Sequence, residues 1–304
     1  MSLIPRLEKL RRYFLTGNTQ SYAFRKEKLQ QLRAAILKHE QDLYTALQAD
    51  LKKSPEESWV TETGMVIAEL NTAIRHLRQW MRPKSAGTNL VNMPSGSRIM
   101  QEPLGVVLII GPWNYPVQLL LNPLVGAIAA GNCVVLKPSE FAPATAAVMQ
   151  AIIEEAFTDD YIIYVPGDGA TVVPEMMNGF AFDHVFYTGS TNVGKIIYRM
   201  AAEKLVPVTL ELGGKSPCVV EADANLKAAA RRIAVAKFSN AGQMCVAPDY
   251  LLVHASVYDR FIEQLKTTLD AFFGPDPATS YNYGKLINAK QFDRVATYLS
   301  QGTL

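Results

Sequence analysis

The sequence predicts an α/β fold: a parallel sheet covered by helices on both faces, then a second, smaller α/β unit. Three observations point to it. From Gly105 onward, short and continuously apolar runs rich in Val and Ile alternate with helical stretches, the pattern of strands buried on both faces. The first 80 residues instead carry helical periodicity. Near Leu210 the strand–helix alternation closes, and after Glu211 it starts again.

Each element has its own signal. Residues 22–49 place Leu29, Leu32, Ile36, Leu43 and Leu47 on one stripe, which predicts an amphipathic helix. Ser54-Pro55-Glu56-Glu57 is a capping box with proline at the first helical position, so a long helix is expected from about 55 to 81. Residues 82–103 mix Pro, Gly, Ser and Asn with short apolar runs and lack a helical period. They predict an extended excursion or hairpin that packs outside its own domain. Strands are expected at 106–110, 133–136, 161–165, 184–187 and 206–210. Helices fall between them up to 130, over 143–157, and from about 170 and 193. In the second unit strands are expected at 218–221 and 250–253, and helices at 225–238 and 257–272.

Composition narrows the function. Thirty basic against 28 acidic residues give a formal charge of +2, so no global signal for nucleic acid exists. The early basic residues Arg6, Lys9, Arg11, Arg12, Arg25, Lys26 and Lys28 alternate with apolar ones and predict a solvated helix face. The apolar stretch 117–130 is too short, and too rich in Asn, Gln, Pro and Gly, to span a bilayer. Arg6, Glu8 and Lys9 interrupt any signal-peptide pattern. The cysteines are Cys133, Cys218 and Cys245, an odd count without a C-x-x-C pair, which predicts a reducing, cytosolic setting. His39, His76, His184 and His254 have no ligand spacing, so no metal is expected.

The chemistry concentrates in two motifs, Leu210-Glu211-Leu-Gly-Gly-Lys-Ser-Pro217 and Phe238-Ser-Asn-Ala-Gly-Gln-Met-Cys245-Val-Ala-Pro248. A thiol and a carboxylate on separate loops suit acyl transfer through a thioester. Cys133 and Cys218 sit in apolar strand runs and read as inert core thiols. Three segments could touch a dinucleotide: Gly111-Pro-Trp113-Asn114, Lys137-Pro-Ser-Glu140, and the run from Gly189 to Gly194 and Lys195. Each follows a strand, where ligands bind in open sheets. The last opens a helix whose N-terminus suits a phosphate, and Glu140 would repel a 2′-phosphate. Each also reads as ordinary βα punctuation, and Asn114 alone as a turn residue. Gly189-x-x-x-x-Gly194-Lys195 further matches a P-loop up to the position that holds magnesium, which is Ile196. A P-loop-like nucleotide-binding protein is therefore a remote alternative.

Taken together, Glu102-Pro-Leu-Gly-Val-Val-Leu-Ile-Ile-Gly-Pro-Trp-Asn-Tyr-Pro116, Lys137-Pro-Ser-Glu140 and the Glu211 and Cys245 motifs resemble the aldehyde dehydrogenase superfamily, most of all its class 3 branch of fatty and aromatic aldehyde enzymes. The resemblance implies an aldehyde dehydrogenase-like fold. A Rossmann-type dinucleotide-binding domain would comprise 1–84 and 103–209, an oligomerisation hairpin 85–102, and an incomplete α/β catalytic domain 210–304. It implies NAD(P)-dependent oxidation of an aldehyde to a carboxylic acid, with NAD as cofactor and NADP possible. Cys245 would be the nucleophile, Asn114 with the Cys245 N–H the oxyanion hole, and Glu211 the base that activates water on the thioester. Trp113, Lys137, Glu140, Gly189, Ser190, Thr191, Asn192, Val193, Gly194 and Leu212 would bind the cofactor. The partner would be a small aldehyde, medium-chain aliphatic or aromatic, and the assembly a homodimer. The family's Glu-x-Phe-Gly-Pro segment is not found: Phe272-Phe273-Gly274-Pro275 imitates it, but Ala271 stands at the glutamate position. It reads as a helix end. A non-catalytic remnant that at most binds dinucleotide is therefore kept as the second expectation.

Overall fold

The computed structural model describes residues 3–301; the last residues of the expected catalytic unit, 302–304, lie outside them. The chain opens with helices α1 (Ile4–Leu15), α2 (Tyr22–Lys38), α3 (Glu40–Leu51), α4 (Pro55–Ser58) and α5 (Gly64–Trp80). The stripe expected over 22–49 is present, with Leu29, Leu32, Ile36, Leu43 and Leu47 fully buried. Each such burial is worth about 1.5–3 kcal/mol. It is carried by two helices rather than one. His39 leaves helical geometry at φ −98°, ψ 15°, and its ring sits 3.0 Å from both Asp42 and Glu155.

The helix expected over 55–81 starts as predicted: Ser54 Oγ accepts from the Glu57 N–H at 3.2 Å. It is interrupted by a π-helical turn at Trp59–Thr63, in which Glu62 and Thr63 are buried. Arg25 departs from the solvated-face expectation. It is buried, and donates to the Thr19 carbonyl at 3.0 Å and to the Ala129 carbonyl at 3.1 Å, the latter among the last carbonyls of a buried helix, which need donors.

Strands β1 (Lys84–Ala86) and β2 (Ser97–Ile99) then pair antiparallel as a separate hairpin. The main sheet is built from β3 (Val106–Ile110), β4 (Cys133–Lys137), β5 (Ile162–Tyr164), β6 (His184–Thr188) and β7 (Val208–Glu211). All are parallel, in the order β5-β4-β3-β6-β7. The connecting helices are α6 (Gln118–Ala130), α7 (Pro143–Ala156), α8 (Gly169–Gly179) and α9 (Thr191–Ala202). Every residue of β3 and β4 is buried, so the fold is α/β with the sheet covered on both sides. The chain leaves β3 toward β5, then returns to β6 on the other side. That reversal opens a crevice beyond the carboxyl ends of β3 and β6, where open α/β sheets bind ligands.

After β7, strands β8 (Ser216–Val220) and β9 (Pro248–Val253) form a two-stranded parallel sheet backed by α10 (Leu226–Phe238) and α11 (Tyr258–Phe273). Its core of Val220, Ala230, Ile233 and Phe261 is separate from the large one. The Phe273-Gly274 step ends α11, with Gly274 at φ 76°. A last helix, α12 (Ala289–Ala296), follows. Among the described residues no helix is long and apolar enough to cross a membrane.

Candidate functional site

Three loops meet where the sheet ends. The first follows β3: Gly111 N donates to the Lys137 carbonyl at 2.9 Å, and Trp113 and Asn114 are half-buried. The second follows β7 and carries Glu211, exposed at the strand end. The third is the turn between α10 and β9, which exposes Cys245.

Close contacts lock these loops together. Asn114 Nδ2 donates to the Gln243 carbonyl at 2.9 Å, two residues before the cysteine. An amide carries two N–H groups, so this bond leaves one free. A Cβ on Gly214 would overlap the Cys245 carbonyl oxygen, so the Glu211 loop needs a bare glycine to lie against the cysteine turn. The structure thus brings the segments that carry Asn114, Glu211 and Cys245 together, through Asn114–Gln243 and Gly214–Cys245. Among the described residues nothing hydrogen-bonds the Glu211 carboxylate. Burial pushes the Cys133 thiol up to about 12, so it is inert at neutral pH; Cys245, by contrast, is exposed.

The remaining residues stand at the ends of β4, β6 and β7. Lys137 is buried at the end of β4, and its Nζ donates to Glu140 Oε2 at 3.2 Å; Glu140 Oε1 accepts from Gly169 N at 3.1 Å. On the other side, Ser190 caps α9 by accepting from the Val193 N–H at 3.3 Å. Ser190, Thr191, Asn192 and Val193 are open to solvent. Gly189 donates to the Glu211 carbonyl at 2.9 Å, and Gly194 is buried where a Cβ would press into Leu212 and Tyr187. The P-loop alternative fails here. Residues 190–193 form a cap and first helical turn, and Gly194 lies inside the helix, so no phosphate-wrapping loop exists between the glycines. As hydrogen-bonding partners for a dinucleotide the set does fit: an ammonium donor and a carboxylate acceptor beside one strand end, and an uncovered helix N-terminus beside the next.

Several residues here escaped the sequence reading. Lys53 and Glu62 are fully buried and joined at 2.6 Å, behind Tyr115, whose ring lies 4.0 Å from Lys53 Nζ. Burial pushes the Glu62 carboxyl up, against the pull of Lys53 and two backbone N–H groups. Burial likewise pushes the Tyr115 phenol up, with the Glu57 and Glu62 charges adding to it. Glu57 was visible only as part of a capping box; its carboxylate instead accepts from Asn240 N at 2.6 Å. The one signal for Glu62 is its spacing: it falls four residues before Val66, on the buried stripe of α5.

Comparison with known proteins places the chain in a family. Residues 11–303 match the sequence model described as the aldehyde dehydrogenase family, and the chain belongs to that family. It is 45% identical over 292 residues to the 4,4′-diaponeurosporen-aldehyde dehydrogenase of Staphylococcus aureus, an alignment covering 96% of this chain and 63% of that protein. It is 42% identical over 301 residues to aldehyde dehydrogenase family 3 member B1 of Rattus norvegicus, covering 99% and 64%. A solved structure described as the substrate-bound state of Staphylococcus aureus AldH superposes with a TM-score of 0.93 at 44% identity, covering 99% of this chain and 65% of that one. The chain thus spans a little under two thirds of the length of the relatives it matches.

Proposed function

We propose that this chain acts as an NAD(P)-dependent aldehyde dehydrogenase, oxidising an aldehyde to a carboxylic acid. The observation that carries this reading is the joint between the three loops: Asn114 bound to the Gln243 carbonyl and Gly214 seated on the Cys245 carbonyl. In this reading Cys245 Sγ attacks the aldehyde carbon and gives a thiohemiacetal. The free Asn114 N–H and the Cys245 N–H hold the oxygen as it gains charge. A nicotinamide ring held by the residues at the ends of β3, β4 and β6 would supply the acceptor for the hydride of the thiohemiacetal carbon, which would leave a thioester on Cys245. Glu211 then takes a proton from water as the water attacks the thioester, releasing acid and thiol.

Residues 1–84 and 103–209 would bind the dinucleotide through Trp113, Lys137, Glu140, Gly189, Ser190, Thr191, Asn192, Val193, Gly194 and Leu212; 210–304 would carry catalysis. Lys137 and Glu140 would hold the adenosine ribose, and the Glu140 charge favours NAD over NADP. The substrate would be a medium-chain aliphatic or aromatic aldehyde, the setting a reducing cytosol. The hairpin at 85–102 would pair two copies.

A second reading, dinucleotide binding without turnover, draws on one observation. The outer face of β8–β9 leaves Val219, Tyr250 and Leu252 exposed, an apolar patch that a working catalytic unit would cover. One experiment separates the two. Reduced cofactor is measured with an aromatic aldehyde, beside Cys245→Ala and Glu211→Gln. Turnover lost in Cys245→Ala, with an acyl-enzyme accumulating in Glu211→Gln, is the expected result. Intact NAD binding with no turnover would leave the second reading standing.

A further inference from the structure

The buried Lys53–Glu62 pair stands directly behind the Asn114 turn and touches it at both ends. Lys53 Nζ donates to Glu62 Oε1 at 2.6 Å and to the Asn114 carbonyl at 3.0 Å. The other Glu62 oxygen accepts from the N–H groups of Val117 and Gln118 at 3.0 and 2.9 Å, at the start of α6. One ion pair therefore grips the carbonyl that opens the turn and the amides that close it.

The cysteine side is held in the same way. Asn240 Nδ2 also donates to the Asn114 carbonyl, at 2.7 Å, while Glu57 takes the Asn240 N–H and the Ser239 hydroxyl at 2.6 and 3.3 Å. Asn240 and Ala241 both stand at left-handed φ, 51° and 52°. Asn240 Oδ1 is buried with no hydrogen-bond partner among the described residues. A turn this strained persists only where its surroundings over-determine it. A buried ion pair is in general no more stabilising than apolar residues of the same volume, so stability alone does not account for it.

We infer that Lys53 and Glu62 are positioning residues for the oxyanion donor: they fix the Asn114 turn so that its free amide N–H faces the carbon attacked by Cys245. The inference rests on the roles proposed above for Asn114 and Cys245. It predicts an effect on reactions that develop an oxyanion and none on reactions that do not.

Two reagents on the full chain make that distinction. p-Nitrophenyl acetate acylates Cys245: an S–C bond forms through a tetrahedral oxyanion, the ester C–O bond breaks, p-nitrophenolate leaves and the thiol proton goes to solvent. Iodoacetamide alkylates the same thiol by displacing iodide from a saturated carbon, without an oxyanion. The readout is the ratio of acylation to alkylation rate. Asn114→Ala sets the scale, with an expected fall of about a hundredfold. The double variant Lys53→Met with Glu62→Gln removes both charges together, and a fall of about tenfold or more is expected because small misplacements of catalytic groups are costly. Lys53→Arg keeps the charge but shifts its donors and should fall in between.

An unchanged ratio in the double variant, beside a large fall in Asn114→Ala, overturns the inference and leaves the proposed reaction intact. An unchanged ratio in Asn114→Ala removes the oxyanion role and the inference with it. Should the double variant fail to fold, by far-ultraviolet circular dichroism and by Cys133 becoming reactive, the ratio in Lys53→Arg decides.

Discussion

Single residues decide whether the three loops can meet at all. Gly213 and Gly214 are neighbours in sequence and opposites in space. A Cβ on Gly213 meets nothing within 4 Å, whereas one on Gly214 runs into the Cys245 carbonyl, a backbone atom that cannot swing aside. Gly214→Ala should therefore destabilise by about 1–3 kcal/mol, as other overpacked sites do, and Gly213→Ala should stay within about 0.5 kcal/mol of the parent. Urea unfolding of the pair tests this; equal midpoints would mean the loops are not in contact. The thiols make a second residue-scale test. Mass spectrometry after limited alkylation at neutral pH should find label on Cys245 and none on Cys133, whose thiol is held up at about 12 by burial. At this scale the motifs around Cys245 and Glu211 were visible in the sequence, because each sets a thiol or a carboxylate among glycines where the strand–helix period breaks. Lys53 and Glu62 were not, because a charge is read as solvated until its burial is seen.

Elements were legible in proportion to how much of their burial is local. The strands β3 and β4 are buried along their whole length, so a continuous apolar run announced them within a residue of their ends. The break at His39 was hidden because the leucine stripe continues through it, and the π-helical turn at Trp59–Thr63 was hidden because it buries Glu62 and Thr63 and leaves Trp59 and Val60 exposed. His39 bridges Asp42 on α3 and Glu155 on α7, where Glu155 also takes Lys38 at 2.8 Å. Hydrogen bonds to Glu155 first, then Asp42, raise the imidazole above its usual range. A group with a raised folded value stabilises fully below its unfolded value, and loses that contribution as pH rises through the folded one. His39→Gln should therefore lower the melting temperature more at about pH 5.5 than at about pH 9, on either side of the ordinary histidine range. An equal drop at both would show that the bridge carries no charge. In the sheet, Leu108→Ala on the fully buried β3 should cost about 2–5 kcal/mol, read from the same urea curves.

At the scale of the whole molecule, the hairpin of β1 and β2 projects Leu90 and Val91, 88% and 92% exposed, beyond the body that holds the candidate site. If it joins two copies as proposed, the chain should sediment as a dimer at micromolar concentration and Leu90→Asp with Val91→Asp as a monomer. A parent that is itself monomeric would remove that role from the hairpin. The α/β class, the order of strands and helices and the residues of the Cys245 and Glu211 motifs were determined by the sequence alone, because hydrophobic period and turn chemistry are local properties. Only the tertiary structure decided which loops touch. The placement of β6 beside β3 opens the crevice, Gly214 brings the Glu211 loop onto the cysteine turn, and Lys53, in the link between α3 and α4 and paired with Glu62, reaches Asn114 across 61 residues of chain. Those contacts depend on distances through space between segments remote in sequence, and no periodicity along the chain encodes them.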